Sequence, residues 1–142
     1  MRIRTLCPAD YDALIAVWKA AGLSYRPRGR DARERIAREM EGPCSIFLGA
    51  ESEGALVGVI LGTHDGRKGW INRLAVAPEY RGGGVGRGLV EEVERRLSER
   101  GIEIVTCLIE VWNEDSMRFF ERIGYLPHRD IVYYSKRSRP DV

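Results

Sequence analysis

The stretch of this chain best equipped for chemistry is Arg81-Gly82-Gly83-Gly84-Val85-Gly86-Arg87-Gly88. Five glycines in eight positions strip nearly every Cβ from the backbone, so successive N–H groups can turn inward on an anion. An amphipathic helix is expected to start inside the run, and a helix N-terminus carries roughly half a unit of positive charge from its aligned peptide dipoles. Arg81 and Arg87 add guanidinium groups suited to phosphate oxygens. The chemistry on offer is phosphate binding by backbone amides. Two common phosphate loops fail on spacing. No glycine is followed by the Gly-Lys-Ser/Thr ending of a Walker loop, and GxGxxG breaks at Arg87 or at Leu89. The spacing that does hold is R-x-x-G-x-G at Arg81, Gly84 and Gly86, preceded by Leu74-Ala75-Val76-Ala77-Pro78-Glu79-Tyr80.

The elements that must hold this loop follow from periodicity. Residues 1–6 alternate apolar and basic and read as a strand. Pro8 suits a first helical position, and Tyr11, Leu14, Ile15 and Trp18 form a helical stripe that Gly22 ends. A loop from Tyr25 to Arg30 precedes a second helix running to about Met40. Segments 44–51 and 55–64 are apolar and separated by Ser52-Glu53-Gly54, a hairpin signal. After the turn at His64-Asp65-Gly66, residues 69–77 read as a further strand. Val85, Leu89, Val93 and Leu97 place one apolar face on the helix behind the glycine loop, and Gly101 closes it. A strand over 102–111, a helix over 115–122 and two short strands in 125–137 complete the order β-α-α-β-β-β-α-β-α-β-β. Short turns make the middle strands antiparallel, and the long helix makes one parallel crossover. The fold class is α/β of the α+β kind, with a mixed, mostly antiparallel sheet.

At 142 residues the chain is expected to be one domain, 1–142. A composition of 44% hydrophobic and 31% charged residues is that of an ordinary globular protein. The net charge of +2 is too small for a nucleic-acid footprint. The three cysteines, Cys7, Cys44 and Cys107, have no CxxC or histidine spacing; they read as reduced, buried thiols of a cytoplasmic protein and exclude a metal site of that kind. No apolar run approaches a membrane span, and Arg2, Arg4, Asp10 and Asp12 argue against a signal peptide.

The run Leu74–Gly88 resembles the acetyl-CoA signature of the GNAT superfamily of N-acetyltransferases. A second stretch, Asn113, Ser116, Phe119-Phe120 and Glu121-Arg122-Ile123-Gly124-Tyr125, resembles that family's downstream pattern, and Gly62 to Gly69 is closest to its small YpeA-type branch. The resemblance implies a sheet whose fourth and fifth strands splay apart, with acetyl-CoA as co-substrate and no metal. It implies that Gly82, Gly83, Gly84, Val85, Gly86 and Arg87, with Arg81, cradle the pyrophosphate. Leu74, Ala75 and Val76 would line the pantetheine arm, paired with it like an added strand. The Leu74 N–H would face the thioester oxygen as oxyanion donor. Asn113 matches the position whose amide touches the pantetheine, although it also reads as a helix N-cap. Phe120 occupies the coenzyme-lining position where many members carry a tyrosine that protonates the departing thiolate.

Phenylalanine cannot donate that proton, and the usual base position early in the fourth strand falls on Trp70. Glu110 is the expected substitute base. His64, Tyr133, Tyr134, Glu51 and Asp65 are weaker candidates. Of the paired tyrosines, one should face inward and one outward. Arg26, Arg28, Arg30, Arg33, Arg35 and Arg38 crowd the first loop and second helix, with Asp31 and Glu34 among them. They read either as a solvated face or as a basic acceptor pocket. The activity implied is transfer of an acetyl group from acetyl-CoA to a primary amine; a non-catalytic acyl-CoA-binding module is the alternative. The partners expected are acetyl-CoA, an amine acceptor and a second copy of the chain as a homodimer, with neither nucleic acid nor membrane.

Overall fold

The computed structural model describes all of residues 1–142. The chain forms two compact units, Met1–Cys107 and Leu108–Val142.

The first unit is a five-stranded sheet with helices on both faces. Its strands are β1 (Arg2–Thr5), β2 (Ser45–Ser52), β3 (Ala55–His64), β4 (Gly69–Val76) and β5 (Val105–Cys107), and they lie side by side in that order. The first three pairings are antiparallel and β4–β5 is parallel, as the turn lengths and the long crossover require. Helices α1 (Tyr11–Ala20) and α2 (Arg33–Glu41) precede β2, and α3 (Val85–Glu99) makes the crossover. On one face Leu14, Trp18 and Ile36 pack with Phe47, Val59, Leu61 and Ala75.

The other face carries α3, and three glycines set how close it comes. A Cβ on Gly58 would lie 2.8 Å from Val85 Cγ1, on Gly62 2.9 Å from Val93 Cγ1, and on Gly69 2.6 Å from Leu97 Cδ1. The apolar stripe of α3 thus seats on a strip of bare backbone, and Leu89, Val90, Val93 and Leu97 are fully buried. Each such side chain contributes on the order of 2 kcal/mol. This packing fixes the helix whose N-terminus follows the glycine loop.

A register shift in the β3–β4 ladder places Arg73 opposite Leu61 and Ile71 opposite Gly62, so Asn72 is the extra residue of a β-bulge. Its side-chain amide donates to Thr63 Oγ1 at 2.8 Å. Bulges turn a strand aside and reverse which edge its amides face. The β4–β5 ladder stops at Ile71↔Cys107, while β4 continues to Val76.

The second unit holds one helix, α4 (Glu114–Arg122). Two expectations fail around it. The fifth strand covers Val105–Cys107 and not 102–111; its three residues pair with Gly69–Ile71, and the ladder ends at the β4 residue before the Asn72 bulge. Residues 125–137 form no strands. Their Ile131, Val132, Tyr133 and Tyr134 suit strands by type, but all four are exposed, and a lone hairpin without a partner sheet is marginal. Both tyrosines face outward, not one each way. The thiols also differ from expectation. Cys7 and Cys44 are exposed, lying just before a helical turn and a strand, and only Cys107 is half-buried. Burial raises the Cys107 pKa to about 11. No helix is long and apolar enough to cross a membrane.

Candidate active site

The glycine loop is a turn that only glycine adopts without strain. Gly82 and Gly84 have φ of +82° and +86°, and a Cβ on either would meet nothing within 4 Å. Their requirement is conformational and not steric. Gly84 is the N-cap of α3, and the first intrahelical bond runs from the Gly88 N–H to the Gly84 carbonyl at 3.0 Å. The amides of Val85, Gly86 and Arg87 therefore have no acceptor within the helix. Val85 is buried, whereas residues 81–84 and Arg87 are exposed. Arg87 reaches Glu91 at 2.8 Å on the surface, a pair too exposed to hold it away from an anion. Backbone amides without helix partners thus lie at an exposed glycine turn, with the Arg81 and Arg87 side chains on either side of it.

The β4 edge continues from this turn. The Ala77 N–H donates to the Val57 carbonyl at 2.8 Å, so Ala77, Ala75 and Arg73 are the residues bonded to β3. In an antiparallel ladder the alternate residues turn their amides and carbonyls the other way. Leu74 and Val76 thus face the edge that β5 does not pair. The Val76 carbonyl there accepts from Arg81 Nε at 3.2 Å, which ties the loop arginine to the strand. A separate cleft of about 310 Å³ lies on the β2–β3 side of the loop, between Met1, Val57, Tyr80, Arg81, Gly83 and Val85. It takes no residue from the β4 edge.

On the α1–α2 face, Arg73 projects from the position before Leu74. Its guanidinium stacks 4.5 Å over the Trp18 ring. It donates to the Ser24 carbonyl at 2.9 Å and to Asp31 Oδ2 at 3.1 Å. Asp31 is the one buried charged residue, 5% exposed, and the same oxygen accepts the Arg26 N–H at 2.7 Å. Burial lowers the Arg73 pKa while Asp31 opposes the shift. Glu39 on α2 is half-buried, and burial followed by the Asp31 charge raises its pKa. Sequence reasoning missed this cluster. A lone arginine in an apolar strand and a lone aspartate in an arginine-rich loop were the only signals.

In the second unit, Asn113 caps α4, its Oδ1 accepting the Ser116 N–H at 3.2 Å. Its amide nitrogen is not used in that cap. Phe120 is buried, with the rings of Phe119 and Tyr125 edge-on at 5.1 Å each. Glu110 lies three residues beyond β5 and is exposed. Its Oε2 accepts from Trp112 Nε1 at 2.6 Å. The weaker candidates are committed elsewhere. Asp65 accepts the Arg67 and Lys68 amides, Glu51 pairs with Arg4, and His64 Nδ1 accepts the Gly66 N–H at 3.2 Å.

The profile of the acetyltransferase (GNAT) family matches residues 12–125, across both units. The chain belongs to the GNAT acetyltransferase family. Its members transfer an acyl group from coenzyme A to an amine, so the chain is a CoA-dependent N-acetyltransferase with acetyl-CoA as co-substrate. Solved structures of similar fold include the PaiA N-acetyltransferase of Thermoplasma acidophilum in complex with coenzyme A, 25% identical over 87% of each chain with a TM-score of 0.75. The ribosomal-protein-alanine N-acetyltransferase of Brucella melitensis biovar Abortus is 19% identical over 96% of this chain and 99% of that one, at 0.75. The aminoglycoside 6′-N-acetyltransferase of Acinetobacter haemolyticus is 16% identical over 98% and 100%, at 0.82. The glycine turn, the β4 bulge and the unpaired edge at Leu74 and Val76 fit a diphosphate followed by an amide-bearing arm, as this GNAT member needs.

Proposed function

We propose that residues 1–142 act as one acetyltransferase domain in which the glycine cup and the β4 edge hold acetyl-CoA and Glu110 takes the amine proton. The observation that carries this reading is the parity of β4. Beyond the Asn72 bulge, the Leu74 and Val76 backbone groups leave the β3 ladder and face the edge where β5 stops. The amides of Gly82 to Arg87 would take the pyrophosphate, with Arg81 and Arg87 alongside, and Val76 and Ala75 would line the pantetheine. Asn113 and Phe120 would flank the arm, Asn113 through its amide nitrogen and Phe120 through its apolar ring. The family match across both units supports treating them as one domain, and three unpaired cysteines fit a reducing cytoplasm.

In the reaction the uncharged amine nitrogen bonds the thioester carbon, and Glu110, directly or through water, takes the proton that this nitrogen sheds as the bond forms. The Leu74 N–H donates to the carbonyl oxygen as charge grows on it. The C–S bond then breaks and the sulfur leaves with its electron pair. A thiolate is a fair leaving group, since a thiol has a pKa of about 8.5, so the apolar Phe120 slows this step without blocking it. Glu110 suits a base because Trp112 holds one oxygen and leaves the other, Oε1, to accept a proton.

The test is Glu110→Gln. Turnover should fall by about 10²–10³, with CoA affinity by calorimetry within twofold of wild type. Equal turnover removes Glu110 as the base.

A further inference from the structure

We propose that the amine acceptor carries an anionic group, a carboxylate close to its reactive nitrogen, and that the loop of residues 24–32 selects it. The inference rests on the acetyltransferase reading and names the acceptor class of that same site. The loop is pinned at both ends to the residue beside the proposed oxyanion donor. Arg73 holds the Ser24 carbonyl at 2.9 Å and the Asp31 carboxylate at 3.1 Å. Within the loop, the Gly29 and Asp31 amides both bond the Arg26 carbonyl, at 3.0 and 3.1 Å, and the Ala32 amide bonds that of Gly29 at 3.1 Å. On the proposed path, an acceptor nitrogen reaches the carbonyl at Leu74 past this loop, which Arg73 ties to the neighbouring β4 position.

The burial of Asp31 decides the sign of that rim. As a sequence, the loop reads as arginines balanced by an interleaved acid. In the fold the acid lies beneath the loop, with Oδ2 engaged by Arg73 and by the Arg26 N–H. Arg26, Arg28 and Arg30 remain exposed, and no other acid lies in residues 24–32. The helix that follows is different. There Arg33 pairs with Asp12, and Glu34 and Glu41 are exposed among Arg35 and Arg38, which is an ordinary solvated face. The excess charge therefore sits on the loop. At physiological salt the screening length is about 8 Å, so three guanidinium groups within five residues act together on a nearby solute. They attract a carboxylate and repel a polycation.

The experiment compares initial rates of thiol release by the full chain with four amines. These are free glutamate, the α-amide of glutamine (which has no carboxylate), spermidine and a short peptide amide beginning Glu-Glu. One acidic acceptor should exceed glutamine α-amide at least tenfold in kcat/KM, and that advantage should shrink between 50 and 500 mM KCl. Glutamate ahead of the peptide assigns a free amino acid, and the reverse order assigns a protein N-terminus; either supports the proposal. The variant R28E/R30E changes only exposed side chains. It should lower the acidic acceptor's kcat/KM at least tenfold while acetyl-CoA affinity by calorimetry stays within twofold. Spermidine or glutamine α-amide matching the acidic acceptors, or a variant that leaves the acidic-to-neutral ratio within twofold, overturns the proposal alone. Silence with every amine, or no binding of acetyl-CoA, overturns the acetyltransferase reading and this inference with it.

Discussion

Two loops flank the β4 edge, each leads into a helix, and each depends on a different physical device. Residues 82–84 present bare backbone. Positive φ at Gly82 and Gly84 and missing side chains leave amides open to the proposed diphosphate, and the charge would come from the start of α3. Residues 24–32 present side chains. Their backbone is held by a buried ion pair, and the charge comes from three exposed arginines. The first loop tolerates almost no change in backbone conformation and needs no buried partner. The second tolerates surface change but hangs on one carboxylate 5% exposed. A loop that offers its amides is specified locally. A loop that offers its side chains must be pinned from a distance.

The sharpest way to break this contrast is Asp31→Ala. Removing one member of a buried pair leaves the other charge uncompensated, at a cost of about 3–5 kcal/mol. Urea unfolding should show that loss, and the double variant Asp31→Asn with Arg73→Met should recover part of it. A single variant within 0.5 kcal/mol of wild type would mean the loop is not hung on this pair. Next in size is Gly84→Val. The left-handed φ costs about 1–2 kcal/mol of stability, and turning two amides away from a phosphate should weaken CoA binding about 100-fold by calorimetry. Equal losses of stability and affinity from strain alone would erase the distinction between the loops.

The smallest effect is expected at a third turn, where Asp10 takes a two-pronged contact from Arg4 at 2.8 and 2.9 Å and the Cys7 N–H at 2.8 Å. The Arg4 guanidinium holds the Asp10 carboxyl well below the usual carboxylate range, against the opposing effect of burial. A lowered folded pKa stabilises above the unfolded value of about 3.9 and is lost as pH falls through the folded value. Asp10→Asn should therefore cost about 1 kcal/mol at pH 7. That difference from wild type should close steadily as unfolding is followed below pH 4. A difference independent of pH would show that charge is not what Asp10 contributes.

Much of the site was legible along the chain because its devices are local. The R-x-x-G-x-G spacing, the stripe from Val85 to Leu97 and the N-cap at Asn113 each involve residues a few positions apart. The helices and the first four strands follow the same way, from periodicity and turn residues. The register of β4 was not legible. The Asn72 bulge depends on how β3 and β4 align; the β5 ladder ends just before it, and it turns the Leu74 backbone groups away from β3. The exposed state of residues 126–137 was missed because strand-forming residues become a strand only beside an edge.

What the amino-acid order alone determined is the glycine turn and the helix that supports it, because glycine's freedom at positive φ and a 3.6-residue apolar period need no distant partner. Whether Asp31 neutralises its arginines or lies buried against Arg73, 42 positions away, was decided only by tertiary structure. Electrostatic sign at a surface depends on which charges reach water, and burial is a property of the folded whole.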